Sequence, residues 1–338
     1  MATIHDVALS AGVSPTTVSR YVNNRIDLPA PTAARIDAAI AALDYRPNLL
    51  AKRLSTGKSE AIGLVTPEIG NPFFAELAAA VEDEAERHGY AVFMSSTRGD
   101  VTREIASLNR LNDRHVDGLI LMTNRPDDGK LAALIEPGRP VVLIDEDVPG
   151  VEVPRIFVEN EQGTYLATRH LIDEGHRSIG MVGGARGLLT VEERWRGFER
   201  AMRERQLPIR PEHLLFGAYS REFGRAATAA IIGTPAPPTA IIAASDYIAI
   251  GVIQALRDAG LGAPRDMSIV GFDDMPFAEL MDPALTTIRQ PVAAMGRLGF
   301  QALLGLMTGT PVEPLTRLPV QLIKRNSVGR PRQGAINS

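Results

Sequence analysis

Two groups of side chains in the 338-residue chain have types and spacings that suit chemistry. The first lies in SPTTVSRYVN, residues 14–23, where the exposed face of a short helical pattern would carry Thr16, Thr17, Ser19, Arg20 and Asn23. Hydroxyls, an amide and a guanidinium suit the phosphate oxygens and base edges of a nucleic acid. The same array also suits an ordinary solvated helix face. The second group stands just past apolar runs: Asn71, Phe73 and Phe74 in GNPFF, Asp145 after PVVLI, Asp246 after TAIIAAS and Asp273 after SIVGF. Carboxylates and amides hydrogen-bond neighbouring hydroxyls, and aromatic rings pack on the C–H face of a sugar, so this set suits a polyol. Other chemistries find no support. Cysteine is absent, which removes thiolate and disulfide chemistry and fits a reducing cytoplasm. The six histidines show no metal-ligand spacing, and no nucleophile has a base at meaningful distance. TGKSE at 56–60 lacks the earlier glycine of a phosphate loop, since Lys52 stands there. The expectation is a protein with no catalytic residue, no metal and no cofactor.

The elements that would hold the first group are three short helices in residues 1–46. Thr3 is a good N-cap for IHDVALSA, with Asp6 in the favoured first turn and Gly12 at the left-handed stop. Ser14 caps a second helix and Pro15 occupies its first position, where a missing N–H costs nothing. Val18, Tyr21 and Val22 give its buried side. A third helix starts at Pro31 and Thr32 and carries Ile36, Ile40 and Leu43 on one face. A helix of two turns is marginal alone in water, so the three must share one core. Two of them joined by a tight glycine turn make a helix-turn-helix.

Charge divides the same way. The net charge of -4 argues against a nucleic-acid binder, but its distribution does not. Residues 1–59 hold seven Lys or Arg and four Asp, so a small basic head precedes an acidic body. No stretch is long and apolar enough for a membrane span, and no basic lead precedes an apolar run at the start. From residue 60 onward, short apolar runs alternate with helical patterns in two successive βαβα series, each expected to form a doubly wound parallel sheet. Ligands of such sheets sit past the carboxyl ends of the strands, which is where the second group stands.

TIHDVALSAGVSPTTVSRYVNN resembles the DNA-binding head of the lactose-repressor (LacI/GalR) family, and YRPNLLAKRLSTGKS, residues 45–59, resembles that family's hinge helix. SDYIAIG at 245–251, SIVGFDD at 268–274 and LTTIRQP at 285–291 continue the resemblance through the chain. It implies a two-lobed periplasmic-binding-protein-like α/β body behind an α-helical head. The domains are then 1–46 for the head, 47–59 for the hinge and 60–338 for effector binding and dimerisation. The first lobe would take about 60–160 and 291–322, the second about 161–289 and 323–338, with crossings near 159–161, 289–291 and 322–324. It implies that Thr3, Ser14, Pro15, Thr16, Thr17, Ser19, Arg20 and Asn23 face DNA. Asn48 and Ala51 of the hinge would join them, with Leu54 as an apolar wedge in the minor groove and the hinge disordered without DNA.

The resemblance also adds to the polyol set: Arg194 in R-x-x-G-F, Tyr219 at the end of LLFGAY and Gln290 at a crossing. Several alternatives stay open. Arg194 has Glu192 and Glu193 beside it as partners, Phe74 suits the core as well as a ligand, and Asp246 and Asp273 suit helix caps. Asp145 stands next to Glu146 and Asp147, either of which could face the cleft instead. The implied protein is a cytoplasmic homodimeric repressor of a palindromic double-stranded operator, controlled by a small sugar-like effector. The alternative is a sugar-binding protein without a DNA role. An enzyme of doubly wound type would need the glycine-rich fingerprint and a catalytic group, and neither is present.

Overall fold

The structure is a computed structural model and describes residues 2–23, 26–45, 57–135 and 138–332. The chain divides into two compact units, Met1–Ser59 and Glu60–Ser338. In the first unit, α1 (Ile4–Ala11), α2 (Pro15–Val22) and α3 (Ala30–Ala42) pack together. The Thr3 amide donates to Asp6 Oδ2 at 2.8 Å and the Asp6 amide returns a bond to Thr3 Oγ1 at 3.3 Å, a reciprocal cap on α1. Gly12 ends the helix at φ 64°, where a side chain would be strained. Ser14 Oγ then caps α2 by accepting from the Thr17 amide at 3.1 Å. Val7, Ala8, Ala11, Val18, Ile36 and Ala39 form the small core. Tyr21 and Val22 lie at its edge, and the Tyr21 hydroxyl donates to Asp37 on α3 at 3.0 Å. Leu43, expected on the buried face, lies just past the end of α3 and is exposed.

The second unit begins with a six-stranded sheet built from β1 (Ala61–Thr66), β2 (Ala91–Ser96), β3 (Gly118–Leu121), β4 (Val141–Ile144), β5 (Arg155–Val158) and β11 (Leu315–Leu318). Its order is β11-β5-β4-β3-β1-β2 and every pair is parallel. Both faces are covered, which is why strands such as AIGLVT read as unbroken apolar runs. Ile62, Leu64, Ile120 and Ile144 pack on one side against α4 (Pro72–Arg87) and α11 (Val292–Thr308), through Leu77, Val81, Met295 and Phe300. Ala61, Val65, Leu119 and Leu143 pack on the other against α5 (Val101–Asn112) and α6 (Lys130–Leu134).

The second lobe repeats the scheme with β6 (Ile179–Gly183), β7 (Leu214–Phe216), β8 (Ala240–Ala243) and β9 (Ser268–Val270), in the parallel order β7-β6-β8-β9. On one face lie α7 (Asn160–Asp173) and α8 (Leu189–Glu204), on the other α9 (Arg221–Ile232) and α10 (Asp246–Asp258). Gly197 lets α8 press on α7: a methyl group there would strike the carbonyl of Glu161.

The chain passes between the lobes three times. It leaves the first sheet after β5 and returns through β10 (Thr287–Arg289) into α11. The third passage differs from expectation. LPVQLIKRN is not one strand: Leu318 ends β11 beside β5, and β12 (Gln321–Ile323) pairs antiparallel with β10. The chain therefore leaves the first sheet before residue 321, earlier than the expected 322–324. Pro319 sits at the break, where it has no N–H to continue a ladder. The strands β5, β10 and β11 each carry an arginine, Arg155, Arg289 and Arg317, that interrupts the apolar run, which is why the apolar pattern did not mark them.

Candidate functional site

A cavity of about 630 Å³, counted with its open mouth, lies between the carboxyl ends of the two sheets. The first lobe supplies Glu68, Asn71, Phe73, Phe74, Thr123, Asn124, Asp145 and Glu146 to its wall. Asn71 caps α4, its Oδ1 accepting from the Phe73 amide at 3.1 Å, which leaves its NH2 group as a donor. Phe73 and Phe74 meet edge to face at 5.2 Å. Both also belong to the first lobe's core, so the alternatives of core and contact are not exclusive. Asp145 stands at the end of β4 with φ 70°, a left-handed backbone that turns the chain sharply into the cleft.

The second lobe supplies Leu188, Thr190, Arg194, Tyr219, Ser245, Tyr247, Asp273 and Gln290. Arg194 does not pair with its neighbours on α8. Glu192 bonds Arg186, and Glu193 holds Arg317 with two bonds of 2.7 and 3.0 Å. Arg194 is instead buried: its Nε donates to Asn160 Oδ1 at 2.9 Å, another nitrogen donates to the carbonyl of Ala244, and the guanidinium lies 3.8 Å from the centre of the Phe272 ring. Asp273 accepts from Gln290 Nε2 at 2.7 Å.

Burial governs the electrostatics. It pushes the carboxyls of Asp145 and Asp273 above their ordinary range, with Arg194 pulling both back, and it pushes the Tyr219 hydroxyl up to about 12. Three polar atoms in the wall, Asp145 Oδ1, Gln290 Oε1 and Tyr219 Oη, are buried without a hydrogen-bond partner in the protein.

Asp246 is the residue that the structure takes out of the set. It does not line the cavity; its neighbours Ser245 and Tyr247 do. Its carboxyl points the other way, accepting from Thr287 Oγ1 at 2.6 Å and from the Met275 amide at 2.8 Å. Successive residues in a helical first turn differ by about 100° in direction, so a residue between two wall residues faces away. Sequence reasoning passed over Glu68, Thr123, Asn124, Leu188, Thr190, Ser245 and Tyr247; Glu146, held as an alternative to Asp145, lines the wall together with it. The strand-end rule could have found Asn124 after β3; Thr190 had no such signal, since it enters from a helix start.

In the head, Thr16 and Arg20 are exposed on α2 and Pro15 is half-buried at its start. The other polar side chains are engaged locally. Ser14 and Thr17 share a hydroxyl bond of 2.8 Å, Thr3 serves the α1 cap, and Asn23 closes α2 by donating to the Ser19 carbonyl at 2.8 Å. Ser19 is half-buried. Asn48, Ala51 and Leu54 lie outside the described residues. Among the described residues no helix is long and apolar enough to cross a membrane, and no group of three or more acidic or histidine side chains is placed to hold a metal.

Residues 3–48 match the family described as Bacterial regulatory proteins, lacI family, and residues 168–328 match the Periplasmic binding protein-like domain. The HTH-type transcriptional repressor PurR of Haemophilus influenzae (strain PittEE) is 35% identical over 97% of this chain and 99% of its own length. This chain belongs to the LacI family. Solved structures of LacI-type regulators agree. The Lac repressor dimer bound to operator and the anti-inducer ONPF matches with a TM-score of 0.86 and 30% identity, over 97% of this chain and 99% of that one. The complex of the transcriptional regulator CelR with cellobiose matches with a TM-score of 0.73 and 28% identity, over 97% and 100%. Both span head and body, so the family assignment covers the helix-turn-helix and the two-lobed unit alike.

Proposed function

We propose that this LacI-family chain is a homodimeric transcriptional repressor whose grip on a palindromic operator is controlled by a hydroxylated, sugar-like effector between its lobes. The observation that carries the reading is the convergence of Asn71, Asp145, Arg194, Asp273 and the rings of Phe73, Phe74 and Tyr219 on one cavity. Carboxyl, amide and guanidinium groups around aromatic faces suit vicinal hydroxyls. The similar regulator CelR was solved as a cellobiose complex, which supports a sugar as the class of ligand.

The head supplies the output. Arg20 and Thr16 stand exposed on a capped helix of the kind that enters a major groove, with Pro15 leading it. A palindromic site mirrors a two-fold dimer. Exposed Phe93 and Met94 on the edge strand β2, together with exposed Leu280, support association of two bodies. The segment 47–59 would join heads to bodies, with Leu54 as the groove wedge. A change in how the lobes meet would then alter the pairing of the hinges and so the operator affinity.

Duplex binding measured against salt tests the reading. The full chain should lose affinity steeply and linearly on a log–log plot as salt rises, and a chain beginning at residue 60 should not bind. Equal binding by both would overturn the DNA role and favour a sugar-binding protein alone.

A further inference from the structure

The cavity wall holds four carboxyl side chains, Glu68, Asp145, Glu146 and Asp273, against one guanidinium, Arg194. That single cation is already committed to Asn160, the Ala244 carbonyl and the Phe272 ring. Resting on the reading of this cavity as an effector site, we infer that its ligand is a polyol with no anionic group, an unphosphorylated sugar in place of a sugar phosphate or sugar acid.

Two independent observations carry this. The first is charge. A phosphate or carboxylate in the cavity would stand beside the carboxyl groups of Asp145 and Asp273, which share Arg194 as their one counter-charge, and like charges in a poorly hydrated site repel strongly. The second is hydrogen-bond polarity. Asp145 Oδ1 and Gln290 Oε1 are buried acceptors with no donor from the protein. A hydroxyl supplies the donor that such atoms need, whereas an ionised phosphate or carboxylate brings acceptors only. The Tyr219 hydroxyl, also without a partner, can serve a sugar oxygen as donor or a sugar hydroxyl as acceptor.

The test is calorimetric titration of the full-length protein with matched sets: free pentoses, hexoses and disaccharides, each beside its phosphate ester and its uronic acid. For any parent sugar that binds, the ester and the acid should bind at least about tenfold more weakly. The gap should narrow in Asp145→Asn or Asp273→Asn, two isosteric variants either of which suffices if the other folds poorly. Equal or tighter binding of an anionic member to the wild type overturns the inference and leaves the effector site standing. An unchanged gap in both folded variants overturns its cause. Silence from every member of every set removes the effector-site reading and the inference together.

Discussion

Glu146 in the first lobe is bound to Thr190 in the second. The carboxyl of Glu146, past the end of β4, accepts the Thr190 hydroxyl at 2.7 Å, the Thr190 amide at 3.3 Å and the Leu189 amide at 2.6 Å. Leu189 and Thr190 open α8, whose first amides have no partner within the helix and whose dipole favours an anion. One acid thus caps a helix across the cleft. A second tie, Glu193 to Arg317 on β11, grips α8 one turn further on. Arg194, which faces the cavity, lies on the stretch of α8 that both ties hold.

Removing the cap should free the helix start. In Glu146→Ala the amides of Leu189 and Thr190 lose their acceptor, and their hydrogen exchange should quicken by about tenfold or more, while amides in the core of α8 change little. Residue-resolved exchange by NMR reads this directly. Unaltered protection at both amides would mean that the cross-lobe bond does not hold the lobes.

Acidity should act through the same group. Burial, with Asp145 close by, pushes Glu146 up from 4.5 to about 7, against the pull of its own hydrogen bonds. Between those values the folded protein keeps a proton that the unfolded chain has released, so this group's contribution to stability falls as pH rises through that window. His170, His176 and His213, lowered by burial, act in the opposite sense and lose stability as pH falls below 6.5. The difference between Glu146→Gln and wild type isolates the carboxyl. It should shift in the variant's favour as the buffer moves from about pH 5 to about pH 7.5 in thermal melts. A difference that is flat in pH would contradict the assignment.

Asp246 and Asp273 should separate cleanly. Asp246 is fully buried, and it braces Thr287 and the Met275 amide away from the cavity. Asp246→Ala strands two buried donors, each worth about 1–3 kcal/mol, and should cost about 2–6 kcal/mol in denaturant unfolding. Asp273→Ala should abolish effector binding and leave duplex binding intact. Loss of the effector response in Asp246→Asn, with stability unchanged, would restore Asp246 to the ligand set.

In the head, Pro15 and Thr16 begin α2 and neither can make a long bidentate contact with a base edge. Arg20 is the exposed guanidinium on that helix and should carry the hydrogen-bonded readout. Arg20→Ala should lose about 1–3 kcal/mol of preference for the operator over random duplex, and Pro15→Ala should change which operator is preferred. Competition binding against a randomised library measures both, and unchanged selectivity in the two variants would refute the assignment.

The division into a small basic head and a two-lobed body was legible because its signals are local. Thr3, Asp6, Gly12, Ser14 and Pro15 act on backbone groups within a few residues, so their types alone placed α1 and α2. The long strands were legible too, since a strand buried on both faces has to be apolar throughout. The strands β5, β10 and β11 were not, because each carries an arginine, Arg155, Arg289 or Arg317, that breaks the apolar run.

By itself the sequence determined the helix caps, the buried strands and the rule that polar groups past strand ends gather in a cleft, since all of these follow from local geometry. Only the tertiary structure decided which groups meet there. It turned Asp246 into a brace and Glu146 into a cap on a helix 43 residues later in the chain. It also took Arg194 away from Glu192 and Glu193 and laid it on Phe272. Those outcomes depend on the direction of each side chain and on which segments the two sheets bring within hydrogen-bond reach, and neither is encoded by spacing along the chain.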